Sequence, residues 1–247
     1  MPQNIYDDLL FFNGYRALRL QDSGLNGAIE EPALRALLPP LKGLRIVDLG
    51  CGFGHFARFA QSQGAQEIIG VDISERMLQV ARDLTTGSGI RYIHDSIEDW
   101  TAPRASVDLV VSSLALHYVA DFPKVAHHIA SALVPGGSLV LSVEHPLCTA
   151  HPVGWQSSDE DGHTFWPVDR YAEEGIRRTV WFVKNVIKYH RTVTTYLNTI
   201  INVGLTIVAI DEPTPTPEAT AQRPLLENER RRPPFLLIAA ARPRCAT

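Results

Sequence analysis

The stretch Leu44-Arg-Ile-Val-Asp-Leu-Gly-Cys-Gly-Phe-Gly54 joins a short apolar strand to a loop with glycine at alternate positions. Residues 44–49 have the Val, Ile and Leu content of a buried strand. The glycines at 50, 52 and 54 let the backbone turn sharply and approach a ligand closely. A helical pattern follows, with Phe56, Phe59 and Ala60 on one face and Gly64 closing it. A helix placed there offers free N–H groups and a positive dipole end to a polar ligand.

Working outward, residues 67–72 form a second apolar strand, and a helix runs through Met77, Leu78 and Ala81. Residues 90–94 and 107–113 read as the third and fourth strands, with a helix through Val125, Ile129, Ala132 and Leu133 after them. Pro135-Gly136-Gly137 punctuates before a fifth strand from Ser138 to Val143. This alternation predicts an α/β fold, a doubly wound parallel sheet covered on both faces. The alternation stops over residues 146–192, which hold Trp155, Trp166 and Trp181. A hairpin is predicted there, Arg178 to Val183 and Val186 to Thr192, turning near Lys184-Asn185. A helix over 194–203 and strands over 205–210 and 235–240 close a single domain spanning 1–247.

The spacing of the glycine loop narrows its ligand. A dinucleotide fingerprint wants glycine at position 55, where this chain has His55. Asp48, just before the loop, would repel a pyrophosphate but suits a ligand with an ammonium group. Asp72, ending the second strand, can accept hydrogen bonds from both hydroxyls of a ribose. Ile73 and Met77 would wall an adenine, Asp95 would accept from its amino group, and the Ser96 and Ile97 backbone would read its edge. Ser113 ends the fourth strand on the same side. Each aspartate alone is also compatible with a helix cap; three acids at successive strand ends are what favour a ligand site.

Val47-Asp-Leu-Gly-Cys-Gly-Phe-Gly54, Val71-Asp-Ile-Ser74, His94-Asp-Ser-Ile97 and Leu133-Val-Pro-Gly-Gly-Ser-Leu139 resemble the ordered motifs of class I methyltransferases. The nearest flavour is the small-molecule group of ubiquinone and menaquinone C-methyltransferases. The resemblance implies S-adenosyl-L-methionine as cofactor and a seven-stranded, mostly parallel sheet of Rossmann-like type. It also implies a lid insertion after the fifth strand (146–192) and N-terminal lid helices over 1–40. As a lid, the N-terminal segment would bring Tyr15 or Arg16 to the methionine carboxylate; as an amphipathic helix it would pack on the sheet.

Methyl transfer needs alignment and exclusion of water, and a general base only where the acceptor's proton leaves early. His117, after the fourth strand, is the first candidate base; His145 with Glu144 comes next and His190 third. His145, His151, Asp159, Asp161 and His163 match no metal-ligand spacing, so no metal is expected. The net charge of −4 argues against a nucleic-acid partner, and Arg230-Arg231-Arg232 reads as a solvated loop. No long apolar run predicts a membrane span. Three cysteines without a framework (Cys51, Cys148, Cys245) and no signal-peptide pattern suit a cytoplasmic protein. The expected reaction is methyl transfer to a small-molecule acceptor, at carbon or oxygen, with a homodimer as the candidate assembly. A binding protein for the same cofactor and a macromolecular methyltransferase are the competing readings.

Overall fold

The strands alternate their side chains between two faces, and each face has its own helices to pack against. In the computed structural model, which describes residues 2–20, 24–159 and 162–244, the chain opens with α1 (Leu9–Leu20) and α2 (Glu31–Ala36). The sheet units follow as β1 (Arg45–Leu49), α3 (His55–Ser62), β2 (Glu67–Asp72), α4 (Glu75–Leu84), β3 (Ile90–His94) and β4 (Val107–Ser113). Next come α5 (Phe122–Ala132), β5 (Leu133–Glu144) and α6 (Pro146–Ala150). Beyond α6 lie two small antiparallel pairs, β6 (Gln156–Ser157) with β7 (Thr164–Phe165) and β8 (Gly175–Trp181) with β9 (Val183–His190). The chain ends with α7 (Val193–Asn202), β10 (Thr206–Asp211), α8 (Pro217–Gln222) and β11 (Phe235–Ala241).

The central sheet has seven strands in the order β10-β11-β5-β4-β1-β2-β3. β1 to β5 are parallel, and β11 runs antiparallel between β5 and β10. The expected doubly wound, mostly parallel fold is therefore present. Within β4, Val110 packs with Phe122, Ile129 and Tyr196 on one face, while Leu109 and Val111 pack with Ile46, Ile68 and Ala57 on the other. Successive residues thus feed opposite cores, which is why these strands are apolar throughout. Strand order reverses between β1 and β4, and the crevice at their carboxyl ends is where such sheets bind ligands.

Helix starts are set locally. The Ser74 hydroxyl accepts the Met77 N–H at 3.1 Å, and Asp121 accepts the Lys124 N–H at 3.0 Å. Three expectations shift. β5 begins at Leu133, absorbing Pro135-Gly136-Gly137 as an irregularity opposite β4. The β8–β9 hairpin turns at Phe182 (φ +57°) rather than at Lys184-Asn185, because Trp181 pairs directly with Val183. Arg232 is not solvated: its guanidinium lies 3.7 Å from the Trp166 ring centroid and 3.0 Å from Glu229, with both charged side chains largely buried. Asp161 and Cys245 lie outside the described residues.

Because breaking a buried pair strands the remaining charge, Arg232→Ala should cost about 3–5 kcal/mol in denaturant unfolding. Arg230→Ala, which removes an exposed pair with Glu227, should stay within about 0.5 kcal/mol of the parent.

Candidate active site

β1 ends in a turn that only glycine can make. Gly50 has φ +78°, and a Cβ there would lie 2.3 Å from the Ala115 Cβ. The Gly50 and Cys51 N–H groups both donate to the Val71 carbonyl, at 2.8 and 3.0 Å. Asp72 completes the tie: one carboxylate oxygen accepts the Gly52 N–H at 2.8 Å and the other accepts the Ser74 N–H at 2.9 Å. Each of those oxygens has a further lone pair, and Asp72 faces a cavity of about 690 Å³.

Asp48 stands on the same wall, only 2% exposed, with Oδ2 lacking any hydrogen-bond partner. Burial pushes its pKa up to about 8, with the neighbouring Asp72 and Glu30 carboxyls adding to the rise. A buried carboxyl without a partner is costly, and a ligand ammonium is the group that would relieve it. Ile73, Met77, Ser96 and Ile97 line the wall beyond Asp72. Asp95 does not line it, and instead accepts the Ser96 N–H at 2.8 Å. Tyr15 faces the cavity, but Arg16 is exposed on another side of α1. The cation that α1 turns to the cavity is Arg19, one helical turn beyond Tyr15 and paired to Glu31 at 2.8 Å.

Ser113 also faces the cavity, and its hydroxyl donates to Glu30 at 2.8 Å. Ser142 donates to the same Glu30 oxygen at 2.5 Å. Glu30 is fully buried, its carboxyl raised by desolvation, and its other oxygen has no partner. Nothing in the sequence marks Glu30, because its partners come from β4 and β5.

The three histidines are set apart by their hydrogen bonds. His117 lines the cavity, and its Nδ1 accepts the Glu144 N–H at 3.3 Å, which leaves the ring proton on Nε2. Burial lowers its pKa to about 3. It is therefore neutral, with a donor rather than a free lone pair toward the cavity. His145 and His190 do not line the cavity. His145 caps α6 through Nδ1 and bonds Glu212 through Nε2 at 2.8 Å. His190 bonds the Thr149 hydroxyl at 2.7 Å and the Tyr171 carbonyl at 2.9 Å, pinning β9 to α6. With both ring nitrogens engaged, neither is presented to a ligand. Glu144 and Lys188 are: both line the cavity, 2.6 Å apart. No cluster of metal-ligating side chains occurs among the described residues.

The cavity is roofed from two directions. Gln3 accepts the Ile187 N–H at 2.9 Å and donates to the Asn185 carbonyl at 3.1 Å, joining the N-terminal segment to the β8–β9 hairpin. Asp7 accepts from the Ser74 hydroxyl at 2.6 Å, anchoring the same segment beside β2. Phe11 meets Trp181 and Phe182 edge-on, with centroids 5.2 and 5.5 Å apart. Phe182 lies so close to α1 that a Cβ on Gly14 would fall 2.5 Å from its ring.

A strand–glycine-turn–helix edge with one unpaired buried acid and a second acid at the end of the next strand is the form of a nucleoside-ligand site on a doubly wound sheet. Residues 46–137 match the family model described as a methyltransferase domain. The crystal structure of an S-adenosylmethionine-dependent methyltransferase from Mesorhizobium loti is 48% identical, with a TM-score of 0.84, covering 89% of this chain and all of that one. A Haemophilus influenzae protein is 35% identical over 249 residues, 96% of each chain. Trans-aconitate 2-methyltransferase of Acidovorax sp. is 39% identical over 106 residues, 41% of this chain and 38% of that enzyme. The chain belongs to the S-adenosylmethionine-dependent methyltransferases, with S-adenosylmethionine as its cofactor.

Asp72→Ala removes charge-assisted acceptors and should weaken S-adenosylhomocysteine binding by about 2–4 kcal/mol in calorimetric titration. The pH dependence follows from Asp48. Free protein holds a proton there below pH about 8, whereas a bound ammonium favours the ionised form. Binding therefore releases a proton, and affinity should rise roughly tenfold per pH unit up to that value and then level off. Asp48→Asn should flatten that slope in titrations run across the same pH range.

Proposed function

We propose that this methyltransferase modifies a small-molecule acceptor, at oxygen or carbon, inside the roofed cavity. The observation that carries the reading is the continuity of that cavity. It runs from Asp48 and Asp72 at the glycine turn to Glu144, Lys188, Trp166 and Trp181 beneath the hairpin. A macromolecular acceptor needs an open face at the reacting end, and here Gln3 and Phe11 are clasped to the hairpin over it. Residues 1–40 and 146–192 act in this reading as two lids that meet, and they must part for exchange.

Asp48 and Tyr15 hold the amino-acid end of the cofactor, Asp72 its ribose, and Ile73, Met77 and Ile97 its base. The bound cofactor supplies an activated methyl group; the protein's part is alignment and removal of water. His117 contributes an Nε2–H donor to whatever lies above it. The motif flavour of the quinone methyltransferases points toward an aromatic acceptor. The likeness to the trans-aconitate 2-methyltransferase of Acidovorax sp. points toward a small carboxylic acid. No described helix is long and apolar enough to cross a membrane.

Calorimetric titration of ligand-freed protein with S-adenosylhomocysteine, with NAD as control, should show one saturable site for the first and none for the second. A screen of small metabolites with labelled methyl donor should then transfer label to a small molecule. Transfer only to protein or nucleic acid would overturn the small-molecule reading.

A further inference from the structure

The ion pair at the far end of the cavity has features that alignment alone does not require. Lys188 reaches from β9 to hold Glu144 Oε2 at 2.6 Å, with its side chain 12% exposed and that of Glu144 28% exposed. Glu144 Oε1 makes no hydrogen bond among the described residues and is not sealed from solvent. The pair is thus half satisfied: one carboxylate oxygen is held, and the other is free on the wall of the cavity.

Every other titratable group that faces Glu144 is fixed in its neutral form or is a cation. His117 and Tyr118 approach from the turn after β4 and Tyr196 from α7, with His117 neutral and both tyrosines pushed up to about 12 by burial. Cys148 of α6 is likewise a thiol, pushed up to about 12. Lys188 of β9 and Arg232, just ahead of β11, are the facing cations. Among these groups the ionised Glu144 carboxylate is therefore the base.

We propose that Glu144 and Lys188 form a proton-transfer pair for a weakly acidic hydroxyl on a flat ring, a phenol-type acceptor, so that the methylated atom is oxygen. This rests on the small-molecule methyltransferase reading above. The choice of acceptor follows from charge. An amine would be repelled by the ammonium of Lys188, and a carboxylate would be repelled by Glu144 and needs no base. A hydroxyl uses both halves of the pair, and Trp166, Trp181 and Tyr118 give flat walls for its ring.

The physical device is an exchange of partners. Burial pushes the Glu144 carboxyl up, and Lys188 pulls it back below the usual range. When Lys188 turns its charge to the acceptor oxygen, burial prevails and Glu144 takes the proton. In turnover the hydroxyl gives its proton to Glu144 Oε1 and an oxygen electron pair to the methyl carbon. The departing sulfur keeps the pair of the broken bond and loses its positive charge. Glu144 then releases the proton to water and pairs again with Lys188.

The test uses 4-nitrophenol as probe on protein saturated with S-adenosylhomocysteine, well below the probe's own ionisation. In the parent protein the phenolate absorption band should appear on binding with no proton released, read by calorimetry in two buffers of different ionisation enthalpy. Lys188→Met should reduce the phenolate fraction roughly tenfold or more, and Lys188→Arg should restore it. Glu144→Gln should keep the band but now release a proton to the buffer, a change that a merely structural carboxylate would not produce. Saturation with S-adenosylhomocysteine serves as the folding check for each variant. Absence of probe binding, binding as neutral phenol, an unchanged band in Lys188→Met, or an unchanged proton count in Glu144→Gln would each overturn the proposal. Failure of S-adenosylhomocysteine to bind the parent protein would instead overturn the methyltransferase site itself, and this inference with it.

Discussion

The carboxylate of Asp72 is the tie on which the ligand edge depends. It holds the Gly52 N–H of one loop and the Ser74 N–H of the next, so two strand-to-helix turns are locked to each other. β1 can then end in a backbone conformation that places Gly50 against Ala115, and α3 and α4 start from fixed points. Phe12 from α1 packs with Phe53 and Met77 over the same turns, which settles where the N-terminal segment lies. Through that contact the roof inherits its position from the loop below it.

The same edge concentrates acids that a folding argument alone would remove. Asp48, Asp72 and Glu30 are all buried, and each carboxyl is raised by desolvation. Asp48 and Glu30 each keep an oxygen without a partner. Buried unsatisfied groups are retained where a ligand completes them, and in the proposed function a cofactor ammonium would do this for Asp48. Apolar packing on both faces of the sheet supplies the stability against which this local cost is set.

At the opposite end the logic is different. Glu144 is compensated within the protein by Lys188, from a hairpin that is not part of the central sheet. That hairpin is held to the body by His190 bonded to Thr149 and Tyr171, and to the N-terminal segment by Gln3. The histidines with suitable chemistry in the sequence thus serve largely as fasteners: His145 and His190 have no free nitrogen, and His117 has a donor. A side chain's chemical type shows what it is able to do, and its hydrogen bonds show what is left to do.

The sequence by itself determined the sheet, the glycine turn and the two acids Asp48 and Asp72, because strand periodicity, glycine spacing and strand-end position are local properties that survive without knowing the fold. It also placed Met77, Ser96 and Ile97 beside the cavity for the same reason, whereas Tyr15 came in only through the family resemblance. Tertiary structure alone decided that Arg19 rather than Arg16 turns to the cavity, and that Arg232 stacks on Trp166 instead of meeting solvent. It also decided that Glu30 is gripped by Ser113 and Ser142, and that Lys188 meets Glu144. These contacts join residues far apart in the chain. Such pairings depend on the crossing of elements in space, which neither composition nor periodicity encodes.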